Sequence, residues 1–171
     1  MTANESVIFW TAGVPAPQGS KRHVGGGRLI EASKKVAPWR KAVAAAATVV
    51  MIDKFSLLWV PWSGDVSVSL DFVLPRPKSL ARSRPTPPAI KRPDLDKLER
   101  AVLDALTGVV FADDSQVTVL QGSKRIAEPD EPTGAIIKVV SFGPGSAFGV
   151  PASNAGLISI NQRVSARGNR V

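Results

Sequence analysis

Four aspartates in two pairs are the residues best placed to do chemistry. Asp94 and Asp96 stand two apart at 92–100 (RPDLDKLER), and Asp113-Asp114 follow in ADDSQV. Basic residues crowd the first pair. Carboxylates that converge beside positive charge suit a hard cation aimed at phosphate. Mg²⁺ prefers oxygen ligands and keeps several waters, so two or three carboxylates suffice. Mn²⁺ could serve the same ligands. Arg100, four residues after Asp96, shares its helix face and could hold a carboxylate or meet a phosphate. Each aspartate also has a plainer reading: Asp94 as a helix N-cap, Asp113 and Asp114 as turn formers, Asp96 as an acid in a first helical turn. The plain reading explains each residue alone, but not two acidic pairs inside a basic protein.

That the protein is basic narrows its partners. The 171 residues carry a net charge of +8 and a pI near 10.3, which favours a polyanion. The charge is localised. Arg76, Lys78, Arg82, Arg84, Lys91 and Arg92 fall in one acid-free run, and Lys21 and Arg22 open a second basic region. Nucleic acid is the expected partner, with Lys21, Arg22, Arg76, Lys78, Arg82, Arg84, Lys91, Arg92 and Lys97 as candidate backbone contacts. With no cysteine and one histidine, His23, thiolate sites are excluded and nitrogen-rich metal sites are not expected. No apolar run reaches the roughly 20 residues of a membrane span. No secretory leader is evident at the N-terminus, so the expected compartment is the cytoplasm.

The elements that must position these residues can be read in order. A strand is expected over 6–11. Two short basic segments around Gly25-Gly26-Gly27 read as a hairpin or flap. A helix should begin near Pro38, with Trp39, Val43, Ala46, Ala47 and Val50 on its buried face. Residues 65–74 alternate as a half-buried strand. Asp71 falls on its polar face, either solvated or a fourth acidic neighbour of the central site. Residues 75–93 hold six prolines and read as a long basic loop that would order against phosphates. The central helix spans about 94–107, with Leu95, Leu98, Ala101, Val102, Ala105 and Leu106 as its stripe and Gly108 at its end. Asp104 reads as a surface or interface residue. Strands follow at 116–121 and 135–141, separated by an acidic turn at 128–132 read as solvated. Residues 143–171, rich in Gly, Ser, Ala and Asn with three arginines and no acid, read as a poorly ordered basic tail.

The string RPDLDKLERAVLDALTGVVFADDSQV resembles the RusA family of Holliday junction resolvases. Asp94, Asp96, Leu98, Asp104-Ala105-Leu106, Asp113-Asp114 and Gln116 match its pattern. The resemblance is strongest over 91–120 and extends weakly over 6–141. It implies an α+β domain over 1–142, with a mixed sheet of about four strands and two main helices, acting as a homodimer. It also implies a Mg²⁺-dependent endonuclease cutting four-way or branched DNA by paired nicks, leaving 5′-phosphate and 3′-hydroxyl ends. Asp94, Asp96 and Asp114 would be its metal-binding catalytic residues, with Asp113 beside them. The family's catalytic lysine falls at Arg100, which cannot give up a proton, and Lys97 stands where the family usually has asparagine. Two rivals remain: a DNA-binding protein that does not cut, and a hydrolase of small phosphates. The absence of a GK[ST] phosphate loop speaks against an NTPase.

Overall fold

A computed structural model describes residues 4–19, 21–23, 29–31 and 34–143. The element order is β1 (Glu5–Ala12), β2 (Lys21–His23), β3 (Leu29–Glu31), α1 (Val36–Phe55), β4 (Val66–Leu74), α2 (Leu95–Leu106), a 3-10 turn (Asp114–Gln116), β5 (Val117–Ile126) and β6 (Gly134–Ser141). Four strands form one mixed sheet in the order β1-β6-β4-β5, and β2 and β3 form a separate antiparallel pair. The expected α+β fold with a four-stranded mixed sheet and two helices is what the chain adopts. The tail from residue 144 lies outside the described residues.

The alternation in β4 decides which face is buried. Val66, Val68, Leu70 and Phe72 point to the core, where Ile137 and Val139 of β6 and Val7 of β1 join them. Both helices cover this face. Trp39, Val43, Ala47 and Met51 of α1 and Leu98, Ala101, Val102 and Leu106 of α2 close the core. Removing a side chain such as the fully buried Leu98 should cost about 2–5 kcal/mol through lost burial and the cavity left behind. Pro38 sits in the first turn of α1, which begins two residues earlier than its position implied. Gly108, at φ 75°, takes the left-handed conformation that stops α2.

One connection sets the geometry of the site. β4 and β5 are adjacent and parallel, and α2 lies between them in the chain. This βαβ unit makes α2 run back against the strand direction. The N-terminus of α2 therefore lies at the carboxyl ends of β4 and β5, and its C-terminus at their amino ends. β5 continues to Ile126, five residues beyond the alternation at 116–121, because its pairing with β4 holds up to Leu74–Ile126.

Candidate active site

The carboxyl ends of parallel strands are where open α/β sheets place ligands, and Asp94 stands there. It occupies the N-cap position of α2, with extended backbone and a carbonyl accepting from the Leu98 amide at 3.3 Å. Its side chain does not cap the helix. The carboxylate lies 3.1 Å from the Lys97 ammonium instead. That hydrogen bond and the Lys97 charge, with Arg92 and Lys124 further away, hold the Asp94 carboxyl below the usual carboxylate range. The expected side-chain cap is absent, and the carboxylate forms an ion pair one turn along the helix instead.

Lys124 was not among the candidate residues. It reaches from β5 to donate to the carbonyls of Lys91 at 3.0 Å and Pro93 at 2.7 Å, fastening the segment just before Asp94. No local motif signals it; only the parallel pairing of β5 with β4 brings it there. Gln18 was also missed. Its amide donates to the Lys97 carbonyl at 2.9 Å, and its side-chain oxygen accepts from Arg40, which also pairs with Asp104. Asp104 is thereby a half-buried tie between α1 and α2, correcting its reading as a surface or interface residue.

Beside Asp94 opens a cleft of about 530 Å³, within the 300–1,000 Å³ usual for small-ligand sites. Pro15, Ala16 and Leu74 form an apolar floor, while Lys35, Arg92, Asp94 and Lys97 edge it. On the other side of the helix start, Asp96 is exposed. Glu99 packs over Gly122 so closely that a β-carbon there would fall 2.0 Å from its Oε1. Burial, then the Asp96 charge, pushes the Glu99 carboxyl up. Arg100 is exposed, and no ion pair joins it to Asp96 among the described residues.

The second aspartate pair does something different. Asp113 caps the 3-10 turn: its Oδ1 accepts from the Ser115 amide at 2.9 Å, while its own amide donates to Gln116 Oε1 at 2.7 Å. The Ser115 hydrogen bonds hold the Asp113 carboxyl below its usual range. Gln116 then donates to the carbonyls of Trp62 at 2.9 Å and Gly64 at 2.6 Å. Gln116 had only a family match to recommend it, although an Asp followed three residues later by Gln is itself a capping signature. Asp114 is exposed.

The two pairs do not converge within one chain. α2 has twelve residues, hence a length of about 18 Å. Along β5, Val117 and Lys124 are separated by about 23 Å of strand rise. Asp94 and Asp96 sit at the Lys124 end, Asp113 and Asp114 at the Val117 end. Among the described residues, no three Asp, Glu or His side chains stand close enough to hold one metal ion. The first pair has the chemistry for Mg²⁺, which accepts one or two protein carboxylates and takes its remaining ligands from phosphate and water. As a set of four on one ion, the aspartates do not fit in a single chain. Asp71 belongs to neither group. It accepts from Ser123 on the sheet face opposite the helices, so it is no neighbour of the central site.

The basic loop 75–93 is folded on itself. Arg76 donates to Thr86 Oγ1 at 2.7 Å and to the carbonyls of Ala81 at 3.0 Å and Arg84 at 2.7 Å. The acidic turn after β5, read as solvated, holds this loop: Glu128 accepts from Thr86 at 2.6 Å and Asp130 pairs with Arg82, while Glu131 pairs with Arg125 on β5. Lys78, Arg84, Lys91 and Arg92 are exposed and have no carboxylate partner among the described residues. β2 and β3 pair as the expected hairpin; the side chains of Lys21 and Arg22 lie outside the described ones.

Acids and cations thus share the carboxyl ends of the parallel strands in a small α+β domain. The family model described as endodeoxyribonuclease RusA matches residues 12–139, and the chain belongs to that family. No curated protein matches it.

Proposed function

We propose that the chain is a divalent-metal-dependent endodeoxyribonuclease, with Mg²⁺ as the working ion and Mn²⁺ as a substitute. It resolves four-way DNA junctions in the cytoplasm by paired symmetric nicks, as a homodimer. Two-fold symmetry suits a substrate that needs two opposed cuts. The observation that carries the reading is the Asp94–Asp96 pair at the carboxyl ends of β4 and β5, surrounded by Arg92, Lys97 and Lys124. No helix among the described residues is long and apolar enough to cross a membrane.

The bound ion would neutralise the scissile phosphate and lower the pKa of its water. Asp94 and Asp96 are the residues proposed to hold it, with Asp114 reaching it only from the second copy of the homodimer, since one chain keeps Asp114 at the far end of α2. Lys97, whose ammonium pairs with Asp94, is the positive charge proposed to hold a phosphate beside that carboxylate. Lys124 keeps the 91–93 segment in place through its two carbonyls. Arg100 offers a fixed positive charge where the family has lysine, so it binds phosphate but transfers no proton. Lys78, Arg84, Lys91 and Arg92 supply exposed charge to the DNA backbone, with Arg82 joining them if Asp130 releases it. Lys21, Arg22 and Arg76 complete the proposed set. Arg76 acts by shaping the loop.

The test is cleavage of a labelled four-way junction in Mg²⁺ by the native chain and by Asp96→Asn and Asp114→Asn, with binding measured in EDTA. Changing a group that merely orients a ligand costs 10–100-fold, so loss of a ligand should lower cutting by more than about 100-fold with binding kept. Equal binding by all three with no cutting in Mg²⁺ or Mn²⁺ would show a DNA-binding protein that does not cut. Binding should also fall steeply with salt, as counterion release requires.

A further inference from the structure

We propose that the cleft beside Asp94 takes one unstacked nucleotide of the strand being cut, its base on the Pro15–Ala16 floor and its edge met by Gln18. The inference rests on the nuclease reading for the choice of ligand and on the make-up of the cleft for the rest. The floor is apolar: Pro15, Ala16 and Leu74 are buried, and Val14 forms a half-exposed lip. Lys35, Arg92 and Lys97 stand at the rim. A free phosphate needs only the cations and gains nothing from the floor. A nucleotide uses both, since its base has apolar faces and its phosphate is an anion.

The cleft is also preformed. The segment that makes its floor is tied at both ends, by the Gly13 amide donating to the Thr133 carbonyl at 3.0 Å and the Gln18 amide to the Lys97 carbonyl at 2.9 Å. Pro15 and Pro17 stiffen it between those ties. The opposite wall, Arg92-Pro93, is fastened by Lys124 through the carbonyls of Lys91 and Pro93. A rigid cleft loses little freedom when it is filled. One polar group is set in advance. Arg40 has only donors, so the Gln18 side chain must turn its oxygen toward it, and its amide nitrogen is left to donate to an acceptor on a base edge. Asp94 lies at the mouth, so the base that enters belongs to the nucleotide next to the scissile phosphate. A base stacked in a duplex cannot reach the floor. Extrusion costs least where stacking is already poor, which a branch point supplies.

Two measurements test this. In the first, four-way junctions carry the fluorescent base 2-aminopurine at successive positions beside the cut, and binding is followed in EDTA. The native chain should raise the fluorescence at one position in each cut strand, because an unstacked 2-aminopurine is no longer quenched. Val14→Met and Ala16→Leu, which fill the cleft, should bind the junction and lose most of that rise. No rise with the native chain overturns the proposal. So does an equal rise with variants whose unfolding midpoints are native, since the junction then opens without the cleft. The second measurement needs neither variants nor junctions. A deoxynucleoside 5′-monophosphate should shift the NMR signal of the Gln18 side-chain amide and bind about tenfold more tightly than deoxyribose 5-phosphate. Equal affinities would mean that only phosphate is held, and would overturn the proposal even if a variant failed to fold. If the nucleotide binds in this way and the native chain cuts no junction in Mg²⁺ or Mn²⁺, the nucleotide site stands and the nuclease reading falls.

Discussion

The two ends of α2 hold the same residue type in opposite roles. At the start, Asp94 occupies a cap position and does not cap; its carboxylate is taken by a cation, Lys97. Beyond the far end, Asp113 caps fully and is backed by Gln116, which clamps the turn to the 62–64 segment. A carboxylate that satisfies backbone amides is built into the structure, whereas one held by a flexible ammonium can be surrendered to a stronger cation. Of the four aspartates, Asp113 is thus the most occupied, and the exposed Asp96 and Asp114 are the best placed to accept something new.

This contrast can be broken by substitution. Among substitutions of these capping and paired residues, the largest effect on stability is expected from Gln116→Ala, which removes two hydrogen bonds to backbone carbonyls and one to the Asp113 amide. At about 1 kcal/mol each, the cost should be about 2–3 kcal/mol, read as a lower urea midpoint at unchanged slope. Asp113→Ala should cost about 1 kcal/mol, the usual value of a lost cap. Asp94→Ala, at a position that looks equivalent from sequence, should stay within about 0.5 kcal/mol of native in the same measurement. If Asp94→Ala instead matches Asp113→Ala, the ion pair is structural and the distinction fails.

Smaller effects concern pH. The folded Asp94 and Asp113 carboxyls lie below their usual range, so both stabilise the fold above the ordinary carboxylate pKa. That contribution is lost as pH falls through their folded values. Lys97→Met should move the Asp94 titration back up, visible in carboxyl carbon NMR shifts, and should leave Asp113 unchanged. Glu99 has the opposite sign: its raised pKa means that its charged form disfavours the fold at neutral pH, and acidification relieves this. Glu99→Gln should therefore raise the melting temperature slightly at pH 7 and less near pH 4. An equal gain at both values would mean that packing over Gly122, and not charge, sets the effect.

Much of the fold was legible from the chain alone. The alternation over 65–72 marked β4 and its core-facing side, though Ser67 and Val73 on the other face are buried too and the strand is more than half covered, and the stripe from Leu95 to Leu106 marked α2, because burial against one surface imposes a period. The two Asp pairs and their basic surroundings were equally visible, as was a family resemblance that the family match now establishes. Contacts between residues distant in sequence were not legible. Nothing local links Asp104 to Arg40, Lys124 to the carbonyls before Asp94, or the acidic turn to the loop it holds. The sequence determined which residues could do chemistry, since residue type and spacing carry that information. Only the tertiary structure decided that the two acidic pairs stand apart. A helix between two parallel strands must run back along them, and twelve residues of helix are too long for one metal ion to bridge.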